Sequence, residues 1–156
     1  YPLVMTNGRL PYFHHSTLRN VPWLREMYPA PEVWINPADA ETYGVANGDW
    51  IWIESQRGRI RGIANLTQGI GRGVVYMERY WNPETLDTPT RGWQEMNVNM
   101  LSKSAAPYND IVGTYTLRGY QVRIYKAEEG APEGVWLKPQ DFKPWLPEYS
   151  DPTPQL

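Results

Sequence analysis

A chain of 156 residues with a net charge of −2 suits one domain and lacks the clustered Lys and Arg of a phosphate-backbone binder, which argues against nucleic acid as a partner. It contains no Cys, so disulfides, thiolate metal sites and thiol nucleophiles are excluded within it. Fifteen Pro and 13 Gly disfavour long helices, 8 Trp exceed the needs of one small core and point to a partner surface, and no apolar run approaches the roughly 20 residues of a membrane span.

The segment Tyr1-Pro2-Leu3-Val4-Met5 has no basic n-region, unlike a signal peptide, and opens at once on a strand-like run, as a domain taken from a longer chain would. Residues 2–6 read as a short buried strand ending in a tight turn at Asn7-Gly8, a dipeptide that readily takes positive φ. Residues 9–19 are polar and aromatic without a period and read as a loop. Asn20 is placed to cap a short helix, with Pro22 early in it and Trp23, Leu24 and Met27 at helical spacing; Pro29 and Pro31 stop it. A strand over 32–35 leads to Asn36-Pro37, an N-cap followed by a first-turn proline, and to a helix over 37–43 closed by Gly44. Asn47-Gly48 turns the chain into a strand over 49–55. There Trp50 and Trp52 face one way and Ile51 and Ile53 the other, and apolar residues on both faces suit a barrel or sandwich strand. After a turn at Gln56-Arg57-Gly58, residues 59–66 alternate, with Ile60, Ala64 and Leu66 opposite Arg59, Arg61 and Asn65. A loop from Gly69 to Gly73 precedes a buried strand over 74–77. From 80 to 120 the pattern weakens into a polar stretch too long for an idle connection, which reads as functional or held by a partner. A last strand covers 119–125, and a Pro- and Trp-rich tail follows over 127–156. No internal repeat is visible. Five or six short strands, two short helices, long loops and glycine turns predict a closed, mainly β barrel, because closure removes exposed strand edges.

Four constellations are candidates for chemistry. In Thr6-Asn7-Gly8-Arg9 the outward N–H groups of a glycine turn would form an anion-binding nest and Arg9 a two-pronged phosphate donor; equally, the segment reads as an ordinary turn with a surface Arg. In Pro11-Tyr12-Phe13-His14-His15-Ser16-Thr17, adjacent His side chains on a strand point to opposite faces, which argues against a joint metal site. Their imidazoles and the Ser16 hydroxyl can instead hydrogen-bond a heterocycle edge or a phosphate, or satisfy local backbone groups. Gly44 to Trp50 reads as architecture. Asn97 and Asn99, followed later by Leu117-Arg118-Gly119, offer paired donors and acceptors suited to a guanine or pterin edge, although an Asn pair in a loop also forms turns. No nucleophile elbow, phosphate-binding Walker loop or HExxH pattern occurs, and no catalytic carboxylate pair stands out.

The order of a strand, Asn-Gly-Arg, His-Ser, then Pro-Glu-Val-Trp-Ile-Asn-Pro-Ala-Asp-Ala, Tyr-Gly-Val-Ala-Asn-Gly-Asp-Trp-Ile-Trp-Ile-Glu-Ser and Arg-Gly-Arg-Ile resembles one family over residues 2 to about 125. It is the C-terminal molybdopterin-guanine-dinucleotide-binding domain of the dimethyl-sulfoxide-reductase superfamily of molybdenum and tungsten oxidoreductases, which includes formate dehydrogenases and nitrate reductases. The resemblance implies a double-psi β-barrel over 1–126, with a tail over 127–156 that packs on the barrel or on the rest of a parent enzyme. It implies a cofactor-binding role for Thr6, Asn7, Gly8, Arg9, His14, His15, Ser16, Trp93, Asn99 and Arg118, with Thr6 supplying the hydroxyl that many members carry at the position of Asn7. The implied cofactor is a molybdopterin guanine dinucleotide, present as a pair around molybdenum or tungsten in a parent whose metal ligand lies outside this chain. Such a domain is inactive alone. Its expected partners are the other domains of the parent enzyme, together with iron–sulfur electron-transfer subunits, in a bacterial cytoplasm or periplasm. The competing reading is a stand-alone double-psi barrel that serves as an interaction module and binds no cofactor.

Overall fold

Alternate residues of the first, second and third strands are apolar and buried: Leu3 and Met5, Val33 and Ile35, Ile51 and Ile53. In the computed structural model, which describes residues 1–15, 17–19, 21–79, 93–103, 105–106, 108–114, 116 and 118–131, these side chains fill the inside of a closed barrel. The strands are β1 (Leu3–Gly8), β2 (Glu32–Ile35), β3 (Trp50–Glu54), β4 (Arg59–Leu66), β5 (Val74–Glu78) and β6 (Tyr120–Lys126). Their order around the barrel is β1-β5-β2-β4-β3-β6. β1 runs parallel to β5 and β2 parallel to β4, whereas the other four pairings are antiparallel. The architecture is a double-psi β-barrel, as the resemblance implied.

These pairings fix strand polarity. The C-terminal ends of β1, β3 and β5 and the N-terminal ends of β2, β4 and β6 share one rim, here the upper rim. Val75, Met77, Ile60, Ala64, Val122 and Ile124 complete the interior. A smaller apolar cluster of Phe13, Tyr28 and Met96 lies outside the barrel, with Leu10, Leu24 and Trp50 against it.

The short helices follow their sequence signals. In α2 (Pro37–Thr42) the Asn36 side chain accepts from the Ala38 N–H at 3.1 Å, Pro37 occupies the first turn, and Gly44 ends the helix with a left-handed φ of 65°. α1 (Pro22–Met27) begins one residue later than expected: its N-cap is Val21, whose side chain cannot accept a hydrogen bond, and Asn20 lies outside the described residues. Between 93 and 103 the patternless stretch contains two short 3-10 turns, Trp93–Glu95 and Val98–Met100. The tail packs on the barrel at its start, where Ala127 is buried and Glu129 accepts from the Trp52 indole N–H at 3.0 Å; beyond Ala131 it lies outside the described residues.

Arg61 lies opposite Ile60, as the alternation predicts, yet it is buried between the Trp52 ring, Glu95 and the Gly130 carbonyl. Among the described Trp side chains, Trp23 is exposed, Trp34 and Trp50 are half-buried and Trp52 is buried. No helix among the described residues is long and apolar enough to cross a membrane.

Candidate functional site

The last three residues of β1, Thr6, Asn7 and Gly8, reach the upper rim in parallel register with Tyr76, Met77 and Glu78 of β5. The sequence predicts a tight turn at Asn7-Gly8, yet neither residue has positive φ and both are strand. The parallel ladder extends past them, with the Arg79 N–H donating to the Gly8 carbonyl at 3.1 Å. Those backbone groups serve β5, so the expected nest of outward N–H groups does not arise from a glycine turn there. Gly8 is needed for closeness instead: a Cβ at this position would lie 2.8 Å from the Tyr76 hydroxyl oxygen. Asn7 is buried at the barrel mouth, Thr6 is half-buried and Arg9 is exposed on the rim.

The loop after β1 is anchored by two buried side chains, Phe13 and Arg19. Phe13 meets Tyr28 edge-on at 6.4 Å, and the Arg19 guanidinium lies over the Phe13 ring at 4.6 Å. Arg19 also pairs with Glu78 at 3.1 Å, with side-chain exposures of 4% and 1%. Between the anchors the backbone turns left-handed at His15 (φ 56°) and Leu18 (φ 68°), conformations that non-glycine residues hold only when their surroundings impose them. This bend overturns the expectation that the His14 and His15 side chains diverge: their rings meet edge-to-face with centroids 4.6 Å apart. Ser16 lies outside the described residues.

Burial, then the Arg9, His14 and Arg79 side chains, push the His15 imidazole below its ordinary value of 6.5. His15 is therefore neutral at pH 7 and presents one donor and one acceptor. Burial and the Glu78 carboxylate push the Tyr76 phenol up, while Arg79 and Arg118 act against them. Positive charge from Arg9 and Arg79 thus acts on His15, and from Arg79 and Arg118 on Tyr76. The nearby carboxylate, Glu78, is already engaged by Arg19.

Of the residues singled out from sequence, the structure gathers Thr6, Asn7, Gly8, Arg9, His14, His15 and Arg118 on this side of the rim. Asn99 stands exposed on the turn Val98–Met100, where its N–H donates to the Asn97 side chain and its carbonyl accepts from Ser102. Trp93 opens the turn Trp93–Glu95. A cavity of about 390 Å³ opens between the β3–β4 turn, residues 101–103 and the start of β6, lined in part by Gln56, Arg57, Lys103 and Tyr120. Sequence reasoning missed Arg19, Tyr76, Glu78 and Arg79. The local signal for Arg79 was a basic residue just past the strand 74–77; the others carried none, since their roles depend on β5 lying beside β1.

Residues 3–119 match the family described as Molydopterin dinucleotide binding domain. The chain is 46% identical over 131 residues to dopamine dehydroxylase of Eggerthella lenta, covering 81% of this chain and 12% of that protein. It is 26% identical over 162 residues to a sulfite dehydrogenase subunit of Allochromatium vinosum, covering 92% of this chain and 16% of that protein. Among solved structures, acetylene hydratase from Pelobacter acetylenicus superposes with a TM-score of 0.76 at 25% identity, over 81% of this chain and 18% of that one. The chain therefore spans less than a fifth of the length of each of these relatives.

Proposed function

We propose, from the premise that this chain belongs to the Molydopterin dinucleotide binding domain family, that its upper rim grips the diphosphate and pterin of a molybdopterin guanine dinucleotide. The observation that carries this reading is the placement of Thr6, Asn7 and Gly8 at the end of β1, with Arg9 exposed just beyond them and the His14 and His15 rings edge-to-face in the loop that follows. The donor set fits the group. Guanidinium forks match phosphate oxygens in two-point contacts, and a rim whose nearby carboxylate is already paired attracts anions. The bare Cα of Gly8 leaves its place to the Tyr76 hydroxyl, a further donor on the same rim.

In this reading residues 1–126 form the binding unit. Arg9 and Arg118 hold the diphosphate. Neutral His15, with His14, Ser16, Asn99 and the Thr6 hydroxyl, offers donors and acceptors to the heterocycle edges, Asn7 lines the mouth beneath them, and Trp93 belongs to the same binding set. The bound group, one of a pair, supplies a molybdenum or tungsten centre and its redox chemistry, and the chain's residues bind and orient it. The chain itself does not turn over. It works within a longer catalytic polypeptide served by iron–sulfur electron-transfer partners. The relatives' names cover a dehydroxylase, a dehydrogenase and a hydratase. That range supports a reading in which this barrel fixes the cofactor while the rest of the polypeptide sets the reaction.

The test is metal and pterin content of the full-length protein, by elemental analysis and the fluorescence of oxidised pterin. Near-stoichiometric molybdenum or tungsten, with GMP released on hydrolysis, is the expected result. Arg9→Ala removes a charged partner from the diphosphate and is expected to weaken retention by about tenfold or more. Unchanged metal and pterin content in the variant would remove Arg9 from the site, and absence of pterin from the parent protein would leave the interaction-module reading in place.

A further inference from the structure

Arg19 makes contacts that ion pairing alone does not require. Its guanidinium donates through Nη1 to Glu78 Oε1 at 3.3 Å and through Nη2 to Glu78 Oε2 at 3.1 Å, the two-pronged geometry that only Arg provides. The same Nη2 lies 3.3 Å from the His15 carbonyl and 3.4 Å from the Arg79 carbonyl. One planar group therefore touches the backbone of two rim residues that come from segments about 60 positions apart, and Phe13 covers it from one side.

A free loop would not hold this arrangement. Left-handed φ at His15 and at Leu18 each costs free energy, and a charge is brought into a space almost without water. The Glu78 carboxylate and two carbonyl oxygens meet that charge from three directions, and the carbonyl of His15 is one of them. With its carbonyl drawn inward, the His15 side chain is left half-buried on the rim beside Arg9 and Arg79. We propose that Arg19 is a positioning residue: braced by Glu78, it locks the His14–Thr17 turn against the end of β5 and so fixes where His15 stands on the rim.

The inference rests on the functional reading above only in its second readout, cofactor retention. Its first readout is independent of any ligand. Hydrogen exchange followed by mass spectrometry on the full-length protein is compared for wild type, Arg19→Lys and Arg19→Met. Lysine keeps the charge opposite Glu78 but lacks the fork that reaches both carbonyls, so a role in charge balance alone is rescued by Arg19→Lys and a positioning role is not. The expected result for Arg19→Lys is exchange in the peptide spanning 13–19 about tenfold faster or more, with peptides from β2, β3 and β4 unchanged, and a lower pterin content. Wild-type exchange of that peptide in Arg19→Lys overturns the proposal, whatever happens to pterin. Faster exchange with wild-type pterin content leaves the lock in place and removes the His15 loop from the cofactor site. If Arg19→Met unfolds the protein, the lysine variant decides alone.

Discussion

At Gly62, in the middle of β4, a Cβ would stand 2.6 Å from Val33 Cγ2 and 3.1 Å from the Pro31 carbonyl oxygen. Neither neighbour retreats easily, because Val33 is fully enclosed and Pro31 belongs to the backbone entering β2. The parallel pair β2/β4 is thus drawn together at a point where only hydrogen fits. Gly62→Ala is expected to destabilise the protein by about 1–3 kcal/mol through overpacking. Adding Val33→Ala opens the space, so the double variant should lose less than the sum of the single losses, a coupling that a double-mutant cycle in urea reads directly. Strict additivity would mean that the clash is relieved elsewhere. The same crowding logic applies to Gly8 and Tyr76, and there it bears on the rim.

At the scale of elements, β3 and β6 are joined on their outer face by a network around Glu54. Its carboxylate accepts from the Tyr125 hydroxyl at 2.7 Å and pairs with Arg123 at 2.6 Å, and Arg59 reaches the same Tyr125. The Tyr125 hydrogen bond, then the Arg123 guanidinium, hold Glu54 below its ordinary value of 4.5 against the opposing effect of burial. The sign follows from linkage: a carboxyl with a depressed folded value adds stability that is fully present above 4.5 and is lost as pH falls from there through the depressed value. Glu54→Gln should therefore lower the midpoint of thermal unfolding at pH 7 and make it less sensitive to pH in the acid range. A variant as acid-sensitive as wild type would show that other carboxylates govern that limb.

These elements differ in how far the sequence reveals them. The boundaries of α2 and the alternation of β3 and β4 follow local chemistry: Asn36, Pro37 and Gly44 mark one, and Ile51, Ile53 and Ile60 the others. Asn7-Gly8 misled because a turn signal is a local preference, whereas the partner that overrides it, β5, begins about 65 residues later. Arg61 shows a related limit of local reading. Alternation places it outward, but nothing in β4 says that Glu95 and Gly130 fold over it. The site was half legible. Arg9, His15 and Arg118 stand in motifs whose order resembles a family, while Arg19, Glu78 and Arg79 acquire meaning only from the crossing of parallel strands.

For the whole molecule, closure is the dominant fact. β6 is the final strand of the barrel and touches both β1 and β3, so the interior is sealed only when a segment more than 110 residues from the first strand is in place. Ile124 sits in that seam, almost fully buried. Ile124→Ala should cost about 2–5 kcal/mol, and the loss should register equally in all parts of the barrel. Far-UV circular dichroism and Trp fluorescence are expected to give one coincident transition shifted to lower denaturant. Separate transitions would show that β6 docks on a barrel that is already formed.

Strand polarity has one more consequence. β1 begins and β6 ends at the lower rim, at the opposite end of those strands from Arg9, His15 and Arg118. The barrel thus separates the outer ends of its first and last strands from the rim proposed to hold the ligand.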